Sequence, residues 1–186
     1  MGSVRPCLLA GLGRVHYEEF ARIGGLMPVT VGVNMLTVVH KASNGMTMAF
    51  PDVCLTPAPP APPIPIPYPN IAMSSDTAQG SSSVKCDGEA VCLKDSNFSR
   101  SSGDEAGTNK GVASGMNMSK AEFVNYSFDV KFEGKNVARA LDLMLHNSKN
   151  TPPMPVIQPP LIIPPVVEPP APEEQKPWNL TKIEAL

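Results

Sequence analysis

A chain of 186 residues with 22 prolines, 14 glycines, 5% aromatic and 17% charged residues has room for one ordinary domain with tails, and its helix breakers argue against a large helical bundle. A net charge of −2 with dispersed lysines leaves no basic footprint for nucleic acid or anionic lipid. No apolar run nears the roughly 20 residues that span a bilayer, and the N-terminus makes a poor signal peptide, so the four cysteines are expected as thiols or metal ligands in a reducing cytoplasm.

Residues 1–26 show no periodic pattern beyond a turn or two of helix over Tyr17–Ile23, stopped by Gly24 and Gly25. They are expected to be an extension upstream of a natural start at Met27. From Val29 to Val39 the chain alternates and is rich in β-branched residues, which predicts one strand, with a break near Gly32–Asn34. His40 ends that strand, Lys41–Gly45 is a turn, and Met46–Phe50 is the returning strand that places Cys54 just beyond it. From Phe50 to Thr77 prolines at 51, 57, 59, 60, 62, 63, 65, 67 and 69 fix φ and remove donors, so a helix or a central strand is excluded and an extended, polyproline-like rod is expected. Ile64, Ile66, Tyr68 and Ile71 make this rod apolar where a spacer would be polar. That marks Pro65, Ile66, Pro67, Tyr68, Pro69 and Asn70 as partner-binding candidates.

Two later stretches repeat one another. Val84–Val91 and Val130–Val137 share the pattern V-K-x-[DE]-G-x-x-V, and each predicts a hairpin whose Asp-Gly or Glu-Gly pair supplies the positive φ of a tight turn. Two copies argue for pseudo-symmetry within one domain. Between them, Asn97–Lys120 reads as a long polar loop, in which Asp104 and Glu105 suit turn-forming or loop-stapling better than catalysis. Phe123, Tyr126, Phe128, Val130 and Phe132 alternate as a single core strand. Residues 138–146 have the periodicity of a short helix. From Asn150 onward paired prolines predict an extended tail that builds no core.

The runs FPDVC.TP, PIPYPNIA.SSDT, VK.DG, NFS.S.GDEAGT, YSFDVK.EGKNV and R..D.M.HN, together covering about Met27 to Asn147, resemble the PAAR-like family DUF4150, named also for its PIPY motif. The resemblance implies a mainly β fold: a small conical domain of short hairpins and long loops over residues 27–149, flanked by the 1–26 extension and a Pro-rich tail at 150–186. Residues 134–142 resemble the G-x-P-x-A-R-x-G-D pattern of the PAAR repeat, where the chain is strand and turn. It also implies a bacterial protein that caps the spike of a type VI secretion system, partnered by a trimeric valine-glycine-repeat spike protein. The cap would reside in the cytoplasm before firing and be delivered with the spike.

The same resemblance implies zinc at the cone tip. Within the matching region the ligand candidates are His40, Cys54, Cys86, Cys92 and His146. Those that follow a strand or turn, His40, Cys54 and His146, are matched to the family's site, with Cys86, Cys92, Asp142 or water as a fourth ligand. Cys86 and Cys92 sit inside hairpin-like stretches and are expected to pack as small apolar groups. Three ligands and a water also describe a catalytic zinc, but no HExxH pair or nucleophile elbow is present. The expectation is therefore a non-enzymatic structural part without toxicity of its own. The alternatives are an adaptor whose Pro-rich tail tethers an effector and, more remotely, a zinc hydrolase.

Overall fold

The computed structural model describes residues 29–162; the expectations for residues 1–26 and for the tail beyond Ile162 lie outside them. The described chain is mainly β, without an α-helix: β1 (Gly32–Val33), β2 (Leu36–Thr37), β3 (Met46–Ala58), β4 (Ala61–Met73), β5 (Thr77–Ala78), β6 (Lys85–Cys86), β7 (Glu89–Ala90), β8 (Asn97–Phe98), β9 (Ala121–Phe123), β10 (Lys131–Phe132), β11 (Lys135–Asn136), β12 (Leu143–Leu145) and β13 (Met154–Pro155). The hairpins β1–β2, β6–β7 and β10–β11 are each antiparallel pairs, and β13-β12-β9-β8-β5 form a five-stranded sheet.

The proline stretch is one arm of a hairpin. β3 and β4 pair antiparallel along nearly their whole length, with Cys54 opposite Ile66 and Leu55 opposite Pro65. Pro63, Pro65, Pro67 and Pro69 survive here because they occupy alternate positions of an edge strand, and Pro62 falls where the register shifts near the turn. Val53 and Leu55, opposite Pro67 and Pro65, turn their backbone groups the other way: Leu55 N–H donates to Lys110 O (2.9 Å) and Val53 O accepts from Val112 N–H (2.9 Å). The ladder thus never needs the donors that proline lacks, and the outer side of β4 at Pro65 and Pro67 presents acceptors only. The expected rod is a strand, not free polyproline helix. Pro65, Pro67 and Pro69 are exposed, Ile66 and Tyr68 half-buried, and Asn70 fully buried.

Two buried clusters form the core. Val39, Ala72, Cys92, Phe98, Ala121, Ala138, Met144 and Val156 make the first, with Phe123 edge-on to Phe98 at 5.7 Å between centroids. Val33, Val38, Cys86, Val91, Leu93, Phe132 and Val137 make the second. Cys86 and Cys92 serve as small apolar groups in these clusters.

Several local expectations change. Val29–Val39 is not one strand but the hairpin β1–β2, turned at Asn34–Met35, both with positive φ. The alternating run 123–132 is split between β9 and β10; Phe128, 82% exposed, is not in the core. Residues 138–146 are turn and strand. The body also continues past Asn150: β13 pairs with β12, and Val156 and Gln158 are fully buried.

Candidate functional site

The repeat has three copies. Val31–Ser43, Val84–Ser96 and Val130–Asp142 align position for position, and each hairpin turns through a positive-φ pair: Asn34–Met35, Asp87–Gly88 and Glu133–Gly134. The first copy was hidden in the sequence because Asn-Met replaces the Asp-Gly or Glu-Gly signal.

The three copies close into a ring. Val39 N–H donates to Ala138 O (3.1 Å), Ala138 N–H to Cys92 O (3.0 Å), and Cys92 N–H to Val39 O (2.8 Å). These residues hold the same position in their respective copies. The flanking bridges obey the same rotation: Val38 with Arg139, His40 with Val91, Leu93 with Val137. Each turn also reaches the residue preceding the neighbouring copy. Asp87 accepts from Thr30 N–H (3.0 Å), Glu133 accepts from Ser83 N–H, and Asn34 Nδ2 donates to Asp129 (3.0 Å). Hydroxyl and amide donors of Ser83, and then of Ser82, hold the Glu133 carboxyl down at about 2. The ring and its flanking bridges thus follow a pseudo-three-fold rotation, from which the hairpins depart in detail: Val38 and Val137 N–H donate to Val31 and Val130 O, whereas Val91 N–H donates to Ser81 Oγ.

The predicted ligand residues fall at three different places. His40 is buried, with Nε2 3.2 Å from Asp87 Oδ2. That contact lacks hydrogen-bond alignment, and Nδ1 has no hydrogen-bond partner among the described residues. His146 is buried with both ring nitrogens matched, Nδ1 to Asn70 Oδ1 at 3.3 Å and Nε2 to Thr47 Oγ1 at 3.2 Å. Burial depresses its pKa from 6.5 to about 4, against a smaller opposing pull from Asp52. Cys54 lies in a third environment, between Asp52 and Asp104.

Asp52, Cys54 and Asp104 present ligand-type atoms within 4.8 Å of one another; among the described residues, no such group includes His40 or His146. As placed, the three residues matched to a zinc site therefore offer an ion no common point. The acidic group is instead saturated by amides. Asn70 Nδ2 donates to Asp52 (2.5 Å) and Asp104 (3.2 Å), and Asn147 Nδ2 to Asp104 (2.9 Å). Asn150 Nδ2 donates to Asp52 and to Val53 O. Met118 N–H adds a further donor to Asp104 at 2.9 Å. Burial, and then the two neighbouring carboxylates, push the Cys54 thiol up to about 12, so at neutral pH it stays protonated and donates towards them. Burial likewise raises Asp104 above its ordinary 3.8. The cluster staples β3, the loop around residue 104 and the turn at 147–150 into one unit, the stapling role expected of Asp104. Glu105 does something simpler, accepting from Gly103 N–H at 2.9 Å.

Sequence reasoning singled out Cys54 as a metal ligand and Asn70 as a partner contact, not as members of one buried cluster, and missed what surrounds them. Asp52 and Cys54 are two apart on a strand and so share a face, a signal that was readable; that Asn147 and Asn150 return to the same point was not.

Comparison with known proteins agrees with this architecture. Residues 45–153 match the family described as the Toxin PAAR-like domain. The chain belongs to that family. Over 129 residues this PAAR-like chain is also 43% identical to a protein named DNase toxin Tse7 of Pseudomonas aeruginosa. The match takes in 66% of the chain and 33% of the relative, so the chain spans about a third of that relative's length. No solved structure matches. The expectation of a non-enzymatic part without toxicity does not survive this similarity, because the relative is, by its name, a toxin that is an enzyme.

Proposed function

We propose that this PAAR-like chain is the spike-capping and delivery part of a type VI effector of the DNase-toxin kind, seated on the end of a trimeric β-helical spike and carried with it into the target cell. The observation that supports this most directly is the ring. Val39, Cys92 and Ala138 repeat one backbone hydrogen bond under a three-fold rotation, and a single chain meets three identical partner surfaces equivalently only if it repeats its own contact surface three times. A monomeric plug for a trimer requires that property; a substrate pocket does not. The match to a toxin that is about three times as long as the matched portion supports the effector half of the reading. The partner is a trimeric valine-glycine-repeat spike protein, and the exposed prolines of β4 are available to contact it or the cargo.

The test is sizing-column co-elution of the purified chain with a panel of purified spike trimers. One chain per trimer is the expected stoichiometry; a free monomer beside every trimer overturns the capping half. Incubation of the chain with plasmid DNA and magnesium, run alongside, reports whether nuclease activity lies within these 186 residues.

A further inference from the structure

The β3–β4 arm has one face that is apolar on the outside. An antiparallel sheet with one side on the core normally turns polar residues outward. At the open end of this hairpin the inward positions Thr47, Ala49, Asn70 and Ala72 are buried. The outward positions are Met46, Met48 and Phe50 on β3 and Ile71 and Met73 on β4, all 37–56% exposed. Met46 lies opposite Met73 and Met48 opposite Ile71, so these side chains pair across the strands on one surface. The sheet is wider than two strands here. Ile157, also exposed, exchanges both backbone bonds with Met46 (2.8 Å each), and Ser102 does the same with Ile71 (2.7 and 2.8 Å). Beside Ile71 and Met73 the strip runs into a groove of about 380 Å³, lined also by Arg100 and Asp76, which lie 3.6 Å apart.

Contiguous apolar surface of this kind marks a contact site. Its size argues against a second copy or another rigid protein. Six half-exposed side chains leave on the order of 500 Å² uncovered, below the roughly 800 Å² per partner of a stable rigid interface. A tethered segment needs less area, because the tether supplies a high local concentration. The chain itself continues from a suitable place. The strand that borders the strip at Ile157 runs on to Ile162, at most about 18 Å away, where it bridges Leu36. The sequence that follows carries paired prolines as far as Pro177 and then Trp178, Leu180 and Ile183. At about 3.1 Å per residue, 163–177 spans about 45 Å, enough to bring Trp178 back over the strip. Thioethers and a guanidinium are groups on which an indole packs well.

We propose that residues 178–186 dock on this strip, with Trp178 seated in the groove beside Met73 and Arg100, and Leu180 and Ile183 covering Met46 and Met48. The proline strap sets the reach; the methionines let the contact adapt. Spike capping is not required for it. Cargo tethered through the tail would then start from the flank of the arm.

Trp178 is the only tryptophan in the chain, so its fluorescence reads the contact directly. In the full chain it is expected to emit to the blue of the urea-unfolded chain and to be quenched by acrylamide about threefold more slowly. Met48→Glu with Ile71→Lys places an opposite-charge pair on two exposed, facing positions, which a sheet tolerates. Its circular dichroism is expected to stay native while Trp178 emission and quenching move to the unfolded values. The reciprocal readout leaves the described body untouched. In Trp178→Ser with Leu180→Ser and Ile183→Ser, hydrogen peroxide is expected to oxidise Met48 about fivefold faster than in the unmodified chain, read by peptide mass spectrometry. Equal Met48 oxidation in the two chains, or a solvent-exposed Trp178 in the unmodified one, overturns docking of the tail. So does protection of Met48 that fades on dilution, which would make the cover a second copy. Should Met48→Glu with Ile71→Lys not fold, the oxidation experiment decides alone.

Discussion

At the scale of single residues, the most informative group is His146. Its position after a strand end and its chemistry made it a ligand candidate, yet both ring nitrogens are matched by Asn70 and Thr47, a buried neutral imidazole with no proton to spare. Because burial depresses its pKa from 6.5 to about 4, the unfolded chain binds the proton more readily than the native one between those values. Stability is therefore full above pH 6.5 and falls as the pH drops towards 4, by up to about 3 kcal/mol for a shift of this size. Asp104, held above its ordinary value, acts with the opposite sign, keeping its proton longer in the native state. Urea unfolding from pH 7.5 to 4.5 is expected to show a fall in stability that flattens in His146→Gln; an equal slope in both proteins would contradict this assignment. The Cys54 environment was likewise only half legible. A cysteine after a strand end suggests a ligand, but the amides that neutralise its carboxylate neighbours come from residues 70, 147 and 150, beyond the reach of local spacing.

The hairpins show what an element reveals and what it hides. Asp87–Gly88 and Glu133–Gly134 announced two turns because glycine at positive φ is a local rule that needs no tertiary knowledge. Asn34–Met35 makes the same turn with Met35 at φ 68°, a strained position for a long side chain, and the surrounding alternation read as one continuous strand. The cost should be recoverable. Met35→Gly is expected to stabilise the chain by about 0.5–1 kcal/mol and Gly134→Ala to destabilise it by about 1 kcal/mol, read as opposite shifts of the denaturant midpoint at constant m. Equal responses would mean that the first copy does not share the turn geometry of the third. The β3–β4 hairpin was misread for a different reason. Proline content excludes a central strand, but the alternation of Pro65, Pro67 and Pro69 with Ile66 and Tyr68 is the pattern an edge strand permits, so parity mattered more than the number of prolines.

Across the whole molecule two organising systems meet: the three-fold ring, held by backbone bonds and small apolar side chains, and the acidic staple, which fastens the arm and the 104–118 loop to the turn at 147–150. The ring's bonds are interior and cyclic, so no member opens without its neighbours. The staple is discrete and depends on Asp52, which accepts from Asn70, Asn147 and Asn150. Asp52→Ala removes an acceptor shared by the buried amides of Asn70 and Asn147 and the half-buried amide of Asn150, a loss expected to cost about 2 kcal/mol, and its effect should be local first. In native-state hydrogen exchange the amides of Met118 and Asn150, bonded to Asp104 and to His146 O, are expected to lose protection well before those of Val39, Cys92 and Ala138. That order would show the ring to be the rigid base on which the arm and loop are mounted, as a plug on a three-fold partner requires. Simultaneous loss at all five amides would instead make the staple part of one cooperative unit with the ring, and the arm could then move only if the ring moved with it.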